Sequence, residues 1–143
     1  MLRREGYVAV LAPGDSLAQR QELRAGDLGA RRVLVDGTQH GSLLGRAALE
    51  HGATCVSVVD DKTVVAALGA AGAGIALLPE LSYVPAGAAV VLPFRSDLPE
   101  RTIALAWKAE RLRTVGTQQF VKAVTAVAHS QRAREVVRSI ATA

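Results

Sequence analysis

The sequence predicts an α/β fold, with helices laid on a largely buried sheet. Three observations carry this prediction. The first is the stretch Asp60-Asp61-Lys62-Thr63-Val64-Val65-Ala66-Ala67-Leu68-Gly69-Ala70-Ala71-Gly72-Ala73-Gly74-Ile75-Ala76-Leu77-Leu78-Pro79-Glu80. Its polar start can cap a helix and sets acidic charge at the positive end of the helix dipole. The apolar residues that follow are too greasy for an exposed helix, and Gly72 and Gly74 offer a stop at positive φ. Ile75 to Leu78 is a continuous apolar run, as in a strand buried on both faces, and Pro79 ends it. The second observation is that strand-length apolar runs recur along the chain with helical patterns between them. The third is composition: 50% of the 143 residues are hydrophobic but only 3% are aromatic. That is one domain's worth of chain, rich in the small aliphatic residues that suit helix-on-sheet packing.

Taken in order, residues 7–12 read as a first strand, and Pro13-Gly14-Asp15 turns the chain. Asp15 or Ser16 is placed to cap a short helical turn, and the loop from 19 to 29 ends on Asp27-Leu28. Residues 32–36 form a second strand, followed by the polar, glycine-bounded loop Gly37-Thr38-Gln39-His40-Gly41. A helix begins near Ser42 and runs to about His51, with Leu43, Leu44, Ala47 and Ala48 on one face. Residues 54–59 are a third strand, then come the helix and strand of the 60–80 stretch, an extended run at 88–94 and a turn at 96–99. Residues 102–107 are the last strand. Thr114 or Thr117 opens a helix with Phe120, Val124 and Val127 on one face. No internal repeat or linker divides the chain.

Several function classes are disfavoured. The single cysteine, Cys55, excludes an internal disulfide and reads as a small buried strand residue in a reducing compartment. After the basic start Met1-Leu2-Arg3-Arg4 the apolar run is only about six residues, short of a secretory signal. Nothing approaches the roughly 18 apolar residues of a membrane span. The expectation is a cytoplasmic protein with no membrane contact. The net charge of +4 comes from cationic residues grouped at 20–32 and 101–138. They lack the aromatic interleaving, zinc-finger spacing or helix-turn-helix pattern of a nucleic-acid reader, so they read as solvated helix faces with no specific DNA contact.

Catalytic signals are equally thin. No serine sits in a Gly-x-Ser-x-Gly elbow. His40, His51 and His129 lack metal-ligand spacing, and the glycines at 69–74 leave a helix instead of cradling a phosphate at its start. No catalytic residue, metal or cofactor is therefore expected. What the pattern does offer is a pair of strand-to-helix loops, Thr38-Gln39-His40 and Asp60 to Thr63, at the carboxyl edge of the sheet, where such folds bind ligands. Amides at two helix starts suit a small anion such as a carboxylate. The competing reading is that Thr38 and Ser42 simply cap their own helix.

Ala70-Ala71-Gly72-Ala73-Gly74-Ile75-Ala76-Leu77-Leu78-Pro79 closely resembles a segment of the effector-binding domain of LysR-type transcriptional regulators. Leu92-Pro93, the run Arg101-Thr102-Ile103-Ala104-Leu105-Ala106-Trp107 and the helix carrying Phe120 follow in the same order as in that family, and 8–18 and Asp27-Leu28 fit upstream. The resemblance covers roughly residues 7–128. It implies a fold similar to type-2 periplasmic binding proteins, with one complete Rossmann-like lobe, residues 17–100, and a partial second lobe, whose remnants are 1–16 and 101–130. Residues 131–143 would be a basic tail. It further implies an effector-sensing, non-enzymatic role, assembly as a homo-oligomer, and effector contact at the Thr38 loop; with the second strand-to-helix turn, the expected effector-binding residues are Thr38, Gln39, His40, Asp60 and Thr63. A solute-binding or small-molecule-transforming protein on the same fold is the rival. The family's DNA-binding helices and half of its first lobe have no counterpart here, which leaves open a fragment or a shortened gene product.

Overall fold

The computed structural model describes residues 1–83, 85, 87–95, 97–98, 100–108 and 114–130. Its strands are β1 (Arg3–Glu5), β2 (Tyr7–Leu11), β3 (Leu23–Arg24), β4 (Arg32–Asp36), β5 (Cys55–Val59), β6 (Ile75–Pro79), β7 (Val90–Arg95) and β8 (Arg101–Ile103). Its helices are α1 (Gln39–Glu50), α2 (Lys62–Ala70) and α3 (Val115–His129), with 3-10 turns at Ala25–Leu28 and Glu80–Ser82. Six strands make one sheet in the order β3-β7-β2-β6-β4-β5, and β1 with β8 makes a separate two-stranded ribbon.

The sheet is mixed. β4 runs parallel to β5 and β6, while β2 is antiparallel to both β6 and β7. Side chains alternate across it, as strand geometry requires. Tyr7, Ala9, Leu11, Val33, Val35, Ile75 and Leu77 point to the layer containing Leu44 and Ala48 of α1. Val8, Val10, Leu34, Ala76 and Leu78 point to the layer containing Val65 and Ala66 of α2. Covered on both faces, β2 and β6 are buried along their whole length. The continuous apolar runs at 7–12 and 75–78 thus have the expected physical cause. Complete burial of each Leu or Val in this core stabilises the fold by about 1.5–3 kcal/mol.

Local signals behave as their chemistry dictates. Gly72 takes φ +82°, closing α2 before the turn into β6. Asp15 accepts from the amide of Leu17 at 2.9 Å, fixing the turn after β2. Asp27 accepts from the amide of Arg24 at 2.8 Å, and Leu28 beside it is fully buried. Thr114 caps α3 by accepting from the amide of Thr117 at 3.3 Å.

Four observations refine the sequence expectations. The strand expected at 7–12 is β2, which sits in the middle of the six-stranded sheet, with Tyr7 opposite Pro79 on one side and Phe94 on the other. Its apolar length is used up by two neighbours from the 17–100 segment. The strand at 102–107 shortens to Arg101–Ile103, which pairs with Arg3–Glu5 instead. Cys55 is only half-buried, because β5 is an edge strand with β4 as its one partner in the sheet. Finally, no residue of α3 is buried: Phe120 is 59% and Val127 66% exposed. The basic tail expected at 131–143 lies outside the described residues.

Candidate functional site

Because β2 is antiparallel to β6 and β7, one edge of the sheet collects the carboxyl ends of β4, β5, β6 and β7 and the start of β2. Asp36 is the last residue of β4 and is only 1% exposed. Its Oδ1 accepts from the Thr38 amide at 3.1 Å and from the Thr38 hydroxyl at 2.5 Å. Its Oδ2 is buried without a hydrogen-bond partner among the described residues. The ammonium of Lys62, on the first turn of α2, approaches Oδ2 to 3.6 Å and donates to Ser82 Oγ at 3.4 Å. A buried carboxylate is tolerated only with such compensation.

Thr38 is the N-cap of α1. Its hydroxyl oxygen accepts from the Gly41 amide at 3.3 Å while its proton goes to Asp36. Helix α1 therefore starts one turn earlier than Ser42, whose amide bonds the Thr38 carbonyl at 2.9 Å. Gly41 is the only residue type that fits there, since a Cβ would collide with the Asp36 carbonyl oxygen. Gln39 is exposed, and the Gln39 and His40 amides belong to the first helical turn, which has no intrahelical acceptors for them. His40 Nδ1 lies 3.5 Å from the Tyr7 hydroxyl, whose pKa is raised by burial and by Glu5 against the opposing pull of Arg101.

The Asp60 turn abuts this loop: a Cβ at Gly37 would stand 2.7 Å from Asp60 Oδ1. The two loops singled out from the sequence are thus neighbours. The start of α2 is a different matter. Asp61 accepts from the amides of Thr63 at 2.7 Å and Val64 at 3.2 Å, bonds that hold its carboxyl below the usual range. Thr63 is exposed with its amide already taken, as is that of Val64, so this helix start offers an anion less than that of α1 does. Of the five predicted residues, Thr38, Gln39 and His40 share one loop and helix start, Asp60 abuts that loop at Gly37, and Thr63 serves the cap of α2. Asp36, Lys62 and Ser82 were missed. Asp36 had a signal, a lone carboxylate closing an apolar strand, but Ser82 reaches Lys62 only through tertiary structure.

Beyond Tyr7 the edge continues into a crevice of about 480 Å³ lined by Glu5, Gly6, Tyr7, Glu80, Phe94 and Arg95 among others. It lies where the β1–β8 ribbon meets the sheet. No group of three or more metal-ligating side chains exists among the described residues.

Residues 1–129 match the LysR substrate binding domain family. The chain belongs to this family. Among solved structures, the chain is similar to HinK, a LysR family transcriptional regulator from Pseudomonas aeruginosa, at 17% identity and TM-score 0.70, covering 89% of this chain and 47% of that one. The reduced form of OxyR gives 22% identity and TM-score 0.65 over 92% of this chain and 64% of that one. The BenM effector-binding domain with its effector benzoate gives 18% and 0.61 over 85% and 61%. These likenesses establish the type-2 periplasmic-binding-protein-like fold, of which this LysR-family chain spans less than two thirds of each neighbour's length. No curated protein matches significantly. Among the described residues no helix is long and apolar enough to cross a membrane.

Proposed function

We propose that this chain is the effector-sensing part of a LysR-type transcriptional regulator, non-enzymatic, cytoplasmic and homo-oligomeric, and that it takes a small carboxylate at the Thr38–Asp60 edge. Family membership supports the class. The observation that carries the site is that the buried Asp36 carboxylate anchors both the Thr38 cap, ahead of the first-turn amides of Gln39 and His40, and the partly exposed ammonium of Lys62, which Ser82 also holds. The role of Thr38 changes from the sequence expectation: with its proton committed to Asp36, its hydroxyl does not donate to a carboxylate but holds the loop that does. Asp60 is exposed beside Gly37 and faces the donor side of an effector rather than its anionic end.

Titration calorimetry with a panel of small carboxylates, benzoate among them, tests this. A binder should lose about tenfold in affinity in Lys62→Met, the scale of one charge-assisted hydrogen bond. Amides of the same acids should bind no better than buffer. Equal affinity for acid and amide, or an unchanged affinity in a folded Lys62→Met, rejects the carboxylate reading.

A further inference from the structure

Among the described residues Glu5 is, with Asp36, one of two buried charges, and it lies outside the Thr38–Asp60 edge. It is 2% exposed and closes β1 opposite Arg101 of β8. One oxygen accepts from the Arg101 guanidinium Nε, and the other from the Leu81 amide at 2.6 Å. Arg101 belongs to the ribbon, whereas Leu81 belongs to the 3-10 turn that follows β6 of the sheet. A second bond runs alongside, from the Glu80 amide to the Gly6 carbonyl at 3.1 Å. Beside the chain link at Gly6, this carboxylate and this short turn tie ribbon to sheet. The next residue of that turn, Ser82, holds Lys62, and Lys62 holds Asp36.

We infer that Glu5 is a positioning residue that seats the ribbon on the sheet, and that the turn Glu80–Ser82 couples this seat to the Asp36–Lys62 pair. The inference rests on the site reading above for its functional meaning, though its test needs no effector. A three-residue turn has little freedom to move one end alone. Leu81 is pinned by its amide to Glu5 and Ser82 by its hydroxyl to Lys62, so a shift of Lys62 displaces the acceptor geometry at Glu5. The reverse also holds.

Glu5→Gln is a discriminating perturbation. Both neighbours of Glu5 are donors, and Gln keeps the shape but offers a single acceptor oxygen, so its NH2 must face one of them. Native-state amide exchange is read at Leu81, at 3–5 and 101–103, and at the core positions 33–35 and 75–78. In Glu5→Gln, exchange at Leu81 and in the ribbon should rise about tenfold while the core positions hold. Lys62→Met should raise exchange at Leu81 and in the ribbon about threefold, and the double variant should depart from the product of the two effects. If Glu5→Gln does not fold, Arg101→Gln, which removes the more exposed partner, is read the same way. A uniform rise across core and ribbon would reduce Glu5 to general stability. A Lys62→Met ribbon indistinguishable from wild type would break the coupling. Neither result bears on whether a carboxylate binds, so the two readings fail separately.

Discussion

Removing the Thr38 hydroxyl should cost far more than an exposed threonine ordinarily does. The hydroxyl oxygen caps α1 through Gly41, a contact whose loss costs about 1 kcal/mol. Its proton supplies one of the two hydrogen bonds to Asp36 Oδ1, inside a carboxylate that is 1% exposed and whose other oxygen has none. A bond to a buried charged acceptor contributes about 1.5–3 kcal/mol, and the position's access to water returns part of that. The sum for Thr38→Ala is a loss of roughly 2–3 kcal/mol, more than the cap alone would give. In a domain of this length about 1 kcal/mol shifts Tm by roughly 4 °C, so the transition should fall by about 8–12 °C. Thr38→Ser keeps both functions of the oxygen and should stay within about 0.5 kcal/mol of wild type, while the isosteric Thr38→Val should resemble Ala. Calorimetric melts with parallel urea titrations measure all three. A Thr38→Ala loss below about 0.5 kcal/mol, or a Ser variant as unstable as Ala, would refute the bond to Asp36 as the source.

The remaining expectations draw on other parts of the fold. Gly41→Ala drives a methyl into the Asp36 carbonyl and should cost at least 1–3 kcal/mol in urea denaturation, as overpacking against backbone does. Asp61 has its carboxyl pKa lowered from 3.8 by the Thr63 and Val64 amides, so its contribution is present above that value and is lost as pH falls through the lowered one. The gap in Tm between wild type and Asp61→Ala should accordingly be open at neutral pH and close in strong acid. Amide exchange should find β2 as slow as β6, with β1, β8 and α3 faster, since α3 buries no residue and the ribbon has only two strands. Fast exchange in β2 would contradict its central place. In gel-shift titrations any DNA binding should be non-specific and fade with salt, because the +4 charge has no recognition helix behind it among the described residues.

The sequence by itself determined the elements whose signals are local. A glycine at positive φ, an aspartate at a helix start and a continuous apolar run each act through their own few residues. Hence α1, α2, β4, β6, the Gly72 turn and the adjacent Thr38 and Asp60 loops could all be read in advance. Family resemblance was legible for the same reason, in the run from Ala70 to Pro79. What only the tertiary structure decided was partnership. Nothing in Tyr7–Leu11 says which strands flank it, since an apolar run reports burial on both faces but not the identity of its neighbours; β6 and β7 claim it. Cys55 sits in a genuine strand, yet its half-burial follows from the edge position of β5. Asp36 and Lys62, and Glu5 with Leu81 and Arg101, are 26, 76 and 96 residues apart in sequence. Charges so distant meet only once the sheet has set their spacing, because an ion pair depends on separation in space, and no periodicity along the chain encodes that.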